Sequence, residues 1–159
     1  MIPARNRIHQ KRNQRKREKF RCGSYFIFSA SAMFAGVMLA IGVTLGGYWK
    51  SLPAAEFLNW FGQNDQFIVQ VIPLVVVPTL IGLIGSLWLS CSDGRARPLW
   101  MGATACVAAV LVLTVAWFLP ANAKFATKSI PLDQVPARLD TWLMVHNVRI
   151  ALAIVASAL

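Results

Sequence analysis

The chain has 159 residues, 57% of them hydrophobic and 14% charged, with a formal net charge of +10; ordinary soluble domains hold about 25% charged residues. The charge is also concentrated. Nine of the sixteen Lys and Arg residues precede residue 22, and three long stretches carry none, which fits a soluble core poorly because a soluble helix keeps a polar face.

Residues 1–21, MIPARNRIHQKRNQRKREKFR, contain Glu18 as their only acid. They read as a disordered basic arm that attracts anionic lipid by about 1 kcal/mol per basic residue near the membrane surface. The run KRNQRKREK lacks interleaved aromatics and any RNA-binding fold, which argues against nucleic acid. Residues 22–159 read as one membrane domain. The runs Cys22–Trp49, Gln66–Ser92 and Pro98–Ala123 are uncharged, and each exceeds the ~20 residues that cross a bilayer as a helix. Thr141–Leu159 is just long enough and is interrupted by Arg149. The expected fold is therefore all-α, an integral membrane four-helix bundle spanning about Ser24–Tyr48, Phe67–Leu89, Leu99–Leu119 and Thr141–Leu159. The first apolar run is too long for the ~7–15-residue core of a signal peptide, so it reads as a retained span.

In the first helix, Ala32, Gly36 and Ala40 repeat every fourth residue, and Gly42 and Gly46 repeat the step. Gly82, Gly85, Gly102, Ala105 and Ala109 continue the small-residue theme, which predicts close helix contacts in lipid. SLPAAEFLNWFGQNDQ, between helices one and two, predicts a short interfacial helix with Leu52, Phe57, Trp60 and Phe61 turned toward lipid. Pro73 and Pro78 predict a bend in helix two. PANAKFATKSIPLDQVPARLD, broken by Pro120, Pro131 and Pro136, reads as a loop packed over the outer mouth of the bundle. The arm and the Arg95–Arg97 loop hold eleven basic residues, which predicts that both termini are cytoplasmic. Cys22, Cys91 and Cys106 suggest reduced thiols, and no His/Cys/carboxylate cluster suits a metal.

Helix four carries the chemistry. At 100° per residue Trp142, His146, Arg149, Ala153 and Ala156 share one narrow stripe, while Asn147 points about 100° away from His146. Such a face suits the interior of a bundle, and an Arg near mid-bilayer costs at least ~2.5 kcal/mol unless paired or hydrated. Gln70, Asn122, Glu56 and Asp133 are its possible partners, and the sequence does not choose among them. Alternatively, Arg149 snorkels toward the outer surface and His146 bonds a loop carbonyl.

FAGVMLAIGV in helix one, LPAAEFLNWF after it, WFLPANAKF ending helix three and the terminal W-x3-H-N-x-R (Trp142, His146, Asn147, Arg149) resemble the anthrone-oxygenase-like family of small four-helix membrane proteins. The likeness covers about residues 25–159 and omits the arm. It implies oxidation of a flat polyketide anthrone by molecular oxygen without metal or flavin. On that implication His146 is the general base, Arg149 holds the developing oxyanion, Trp142 stacks on the substrate and Asn122 or Gln70 orients a carbonyl, with Asn147 completing the motif. The rival reading is a non-enzymatic membrane subunit that binds lipid or docks on a larger complex, with the arm as its working part.

Overall fold

The computed structural model describes residues 31–90 and 94–159. The basic arm, Cys22, Cys91 and the expected start of helix one at Ser24 lie outside the described residues. Four helices account for the described chain, and among its residues there is no strand. They are α1 (described over Ser31–Ser51), α2 (Ala54–Leu89), α3 (Ala96–Ala126) and α4 (Val135–Ala158), the last entered through a 3-10 turn at Leu132–Gln134. All four are long and apolar enough to cross a membrane. Leu74, Ile81, Ile84, Trp88, Val112 and Met144 are among the large apolar side chains left exposed around the bundle, as lipid-facing positions are. The expected fold class holds.

Two boundaries differ from the sequence reading. The interfacial helix is not separate, because Ala54 opens a single helix of 36 residues that includes it. At 1.5 Å per residue that helix is about 54 Å long, against a hydrocarbon core of about 30 Å, so its first turns stand clear of the apolar layer. The short helix expected there is thus the beginning of α2 rather than an element of its own. The aromatics are not turned toward lipid either: Phe57 and Phe61 are buried, and Trp60 is half-buried. The segment beginning PANAKF is likewise helical, continuing α3 to Ala126. Pro120 lacks an N–H and its ring would clash with the carbonyl four residues back in a regular helix. The winding loosens just before it, where Thr114–Phe118 form a π-helical turn and Leu119 N–H donates to the Thr114 carbonyl, five residues back. Pro136 sits in the first turn of α4, where the missing donor is harmless.

A second π-helical turn interrupts α1 at Ile41–Leu45, with Gly46 N–H donating to the Ile41 carbonyl. Residues four apart drift about 40° around an α-helix, and wider winding reduces the drift. Met38, Gly42 and Gly46 in α1, and Val110, Thr114 and Phe118 in α3, are spaced four and four, so each π turn keeps such a row facing inward.

α1 and α4 run antiparallel in close register. Ser157 Oγ donates to the Ser31 carbonyl at 2.9 Å at one end, here the proximal end, and Lys50 pairs with Asp140 at 2.7 Å at the other, the distal end. Between them Gly42 lies against His146 and Ile150, and Gly46 against Leu143. These two glycines are the close approach. A Cβ at Gly46 would stand 2.5 Å from Leu143 Cδ2, whereas one at Gly36 would meet nothing within 4 Å. The row Ala32, Gly36 and Ala40 faces outward, contrary to the expectation of a packed seat. Gly82 is buried and Gly102 faces Leu159, while Gly85 has open space and Ala105 is exposed.

Candidate functional site

The α4 stripe is buried along its length: Trp142, His146, Arg149, Ala153 and Ala156 all face the interior. His146 is 0% exposed and Arg149 5% exposed, which removes the snorkelling alternative. Two π turns flank the pair, one bringing Gly42 against His146 and the other carrying Phe118 beneath Arg149.

His146 Nε2 lies 2.9 Å from the Met38 carbonyl oxygen of α1, not from a loop carbonyl. A carbonyl oxygen only accepts, so Nε2 carries the proton and donates it. In the neutral ring Nδ1 then holds a lone pair. That atom is buried and has no hydrogen-bond partner. Gly42 makes the approach possible, since a Cβ there would lie 3.0 Å from His146 Cδ2 and 2.7 Å from Ile150 Cδ1. On its other side the imidazole stacks on Trp142 (ring centroids 4.9 Å apart, planes 20° apart).

Arg149 does not find the partner the sequence suggested. Its Nη2 donates to Met38 Sδ at 3.3 Å, its guanidinium carbon sits 4.1 Å from the centre of the Phe118 ring, and its Nε is buried without a partner. A thioether is a weak acceptor, and an aromatic face supplies only a cation–π attraction of about 2 kcal/mol when desolvated. The charge is thus surrounded by soft groups and faces no anion among the described residues. Glu56 and Asp133 are exposed elsewhere.

Trp142 is the hinge of the site's aromatic wall. Its Nε1 donates to Asn122 Oδ1 at 2.8 Å, joining α4 to α3, and its ring meets Phe118 edge-on at 5.0 Å and Trp49 at 5.3 Å. Trp49, itself buried, continues the wall to Phe61 and Trp60. The structure therefore gathers Trp142, Asn122, His146 and Arg149. It leaves out Gln70, which is exposed on α2, and Asn147, exposed on the far side of α4 from the stripe. Met38, Phe118 and Trp49 join the site without having been singled out. Met38 shares the inward row of α1 with Phe34 and Gly42, and Phe118 stands one turn before Asn122 on α3, but neither residue type announces chemistry.

Two grooves open at the distal end. The larger, about 380 Å3, lies between the end of α3 and the start of α4; the smaller, about 120 Å3, lies beside Trp49 and the Lys50–Asp140 pair. His146 and Arg149 line neither. Among the described residues no group of three His, Cys, Asp or Glu side chains is placed to hold a metal ion.

No curated protein and no solved structure matches the chain. The family model described as anthrone oxygenase matches residues 57–159, from the second turn of α2 to the last residue. The match takes in Phe118, Asn122, Trp142, His146 and Arg149 and leaves out α1, so Met38 and Gly42, and the resemblance read in FAGVMLAIGV, lie beyond it. Spanning well over half of the sequence and all of the α4 stripe, the match makes this chain a member of the anthrone oxygenase family.

Proposed function

We propose that this membrane protein oxidises a flat phenolic, anthrone-type substrate with molecular oxygen, His146 acting as general base and Arg149 as the holder of the developing oxyanion. One observation carries the reading: a buried imidazole nitrogen, free of partners, whose tautomer is set for accepting a proton because the other nitrogen donates to Met38.

The central methylene of an anthrone gives one proton to Nδ1, and the electrons pass into the ring system as an enolate. The enolate oxygen carries the charge, and Arg149 lies one helical turn from the base to hold it in a site closed to water. Oxygen adds at the former methylene carbon, forming a C–O bond. The imidazolium returns the proton to the resulting peroxide. Loss of the second C–H proton with cleavage of the O–O bond leaves a ring carbonyl and releases water. The carbon has then lost two hydrogens and gained one oxygen, and the other oxygen departs with those hydrogens. Trp142 offers the flat face for stacking, and the Asn122 amide N–H groups remain available for a substrate carbonyl. Because the pair lines neither groove, the substrate reaches Nδ1 by parting the ring contacts around Trp142.

We propose further, from the eleven Lys and Arg residues in the arm and the Arg95–Arg97 loop, that both termini are cytoplasmic, with the arm on anionic lipid and the distal end outside. Single cysteines at Asn64 and Ser129 should then react with an impermeant reagent in intact cells, and one at Asn13 should not.

The activity is tested by oxygen uptake and quinone absorbance with an anthrone in detergent-purified protein. Wild type should exceed the spontaneous rate, and His146→Asn should lose about 10²–10⁴ of that rate while remaining folded. Wild-type turnover no faster than the buffer, or a His146→Asn variant as fast as wild type, would sink the proposal.

A further inference from the structure

The larger distal groove has a chemical character of its own. Trp117, Pro120, Phe125 and Ile130 supply apolar walls, and Lys124 and Arg138 are the charged residues that line it. Both cations are exposed, and neither side chain meets an acceptor among the described residues. Asp140, the acid nearest along α4, is engaged with Lys50 on another side and lines only the smaller groove. Arg138 and Thr141 of α4, with Gln134 from the 3-10 turn before it, line one side of the groove, and Trp117, Ala121 and Lys124 of α3 line the other. A volume of about 380 Å3 lies within the range of small-molecule clefts, about 300–1,000 Å3, and the 120 Å3 groove does not.

Three residues that line the groove are also chain neighbours of residues around the buried pair. Trp117, Ala121 and Thr141 line it, and the residues next to them in the chain are Phe118, Asn122 and Trp142. Phe118 lies under Arg149, Trp142 stacks on His146, and Asn122 holds the Trp142 indole.

We infer that this groove is the recognition site for an aromatic carboxylate, its flat body on Trp117 and Pro120 and its carboxylate between Lys124 and Arg138. The inference rests on the oxygenase reading and narrows it: the substrate class is an acidic polycyclic aromatic taken up at the distal end, next to the Trp142–Asn122 bond that guards the base.

Equilibrium binding of anthracene-2-carboxylate to the full chain in zwitterionic nanodiscs tests this, read by energy transfer from tryptophan and compared with neutral anthracene-2-methanol and with empty discs. The carboxylate should bind the protein about tenfold more tightly than the alcohol. Lys124→Gln and Arg138→Gln should each weaken the carboxylate about fivefold and leave the alcohol unchanged, as expected for solvent-accessible charge contacts. Equal affinity for the two probes, or indifference to both variants, overturns the inference. Displacement of the carboxylate by phosphatidylglycerol in the disc also overturns it, in favour of a lipid headgroup. His146→Asn separates the two readings. Retained carboxylate preference with no wild-type turnover leaves the groove standing and removes the oxygenase. Turnover of an anthrone that depends on His146, without any preference for the carboxylate, does the reverse.

Discussion

Toward the distal end, α1 and α4 meet through Trp49, Trp142, Gly42 and His146, and edge-on ring contacts tie them to Phe118 of α3 and Phe61 of α2. Toward the proximal end the same helices meet through Ser31 and Ser157, and the packing beside them is a small cluster of Leu83, Ala103, Val107 and Ala156. The proximal cluster holds helices together with side chains that many apolar residues could replace, since in lipid dispersion and close approach do the work. The distal half instead contains indole, imidazole, guanidinium and amide groups whose positions depend on one another. Ring, imidazole and guanidinium contacts are therefore gathered toward one end of α4 and small apolar contacts toward the other, with Arg149 at the border.

Arg149 gives the sharpest way to break that separation. Arg149→Met should cut turnover by about 10²–10³, the loss typical of a missing oxyanion donor. Thermal stability should hold or rise, because a buried charge with only soft partners is often replaced by an apolar side chain at no cost or with a gain of about 1–4 kcal/mol. Loss of stability together with turnover would make Arg149 a structural residue. Gly42→Ala comes next. The added methyl forces the imidazole or Ile150 aside, an overpacking cost of about 1–3 kcal/mol, and should perturb the His146 ring resonances in NMR spectra. Gly36→Ala, on the open face, should stay within about 0.5 kcal/mol; equal effects at the two glycines would show that α1 does not pack as described.

Asn122→Ala leaves the Trp142 indole N–H without its acceptor and should cost about 1 kcal/mol, and adding Trp142→Phe should cost less than the two separate changes summed. Additivity in that cycle would mean the bond does not join α3 to α4. The smallest effect belongs to the exposed Lys50–Asp140 pair, where Lys50→Ala should shift stability by at most about 0.5 kcal/mol and by less in high salt.

Much of this arrangement was legible from residue order. Charge-free runs located three of the helices, because a charged side chain in hydrocarbon is expensive, and the fourth was read from an apolar run interrupted only by Arg149. Spacings of four and three placed Trp142, His146 and Arg149 on one buried face. The first turns of α2 were legible as a helix but not as part of α2, because the Pro53 start marks where a helix begins and nothing in the polar stretch shows that it runs on unbroken into the span. Gly36 and Gly42 look alike in the sequence; which one meets another helix depends on a partner more than a hundred residues away. Arg149's surroundings were illegible for a chemical reason. Its neighbours are a thioether and a phenyl ring, and a search for carboxylates or amides passes over both.

The two π turns have a consequence for chain length. Each holds one residue more than a regular helix would use to join the same two faces, and that surplus is taken up locally. Deleting a single residue there should let the winding close to a plain α-helix with the flanking faces unmoved. Val43 and Val115 lie within the turns at 67% and 66% exposure, so their loss removes no core contact. A deletion of Val43 should keep Met38 and Trp49 both directed at α4. The same deletion in α4, which has no surplus, at Met144 for instance, would turn Trp142 about 100° away from His146 and unfold the site. α1 and α3 can therefore lose a residue at mid-helix, and α4 cannot.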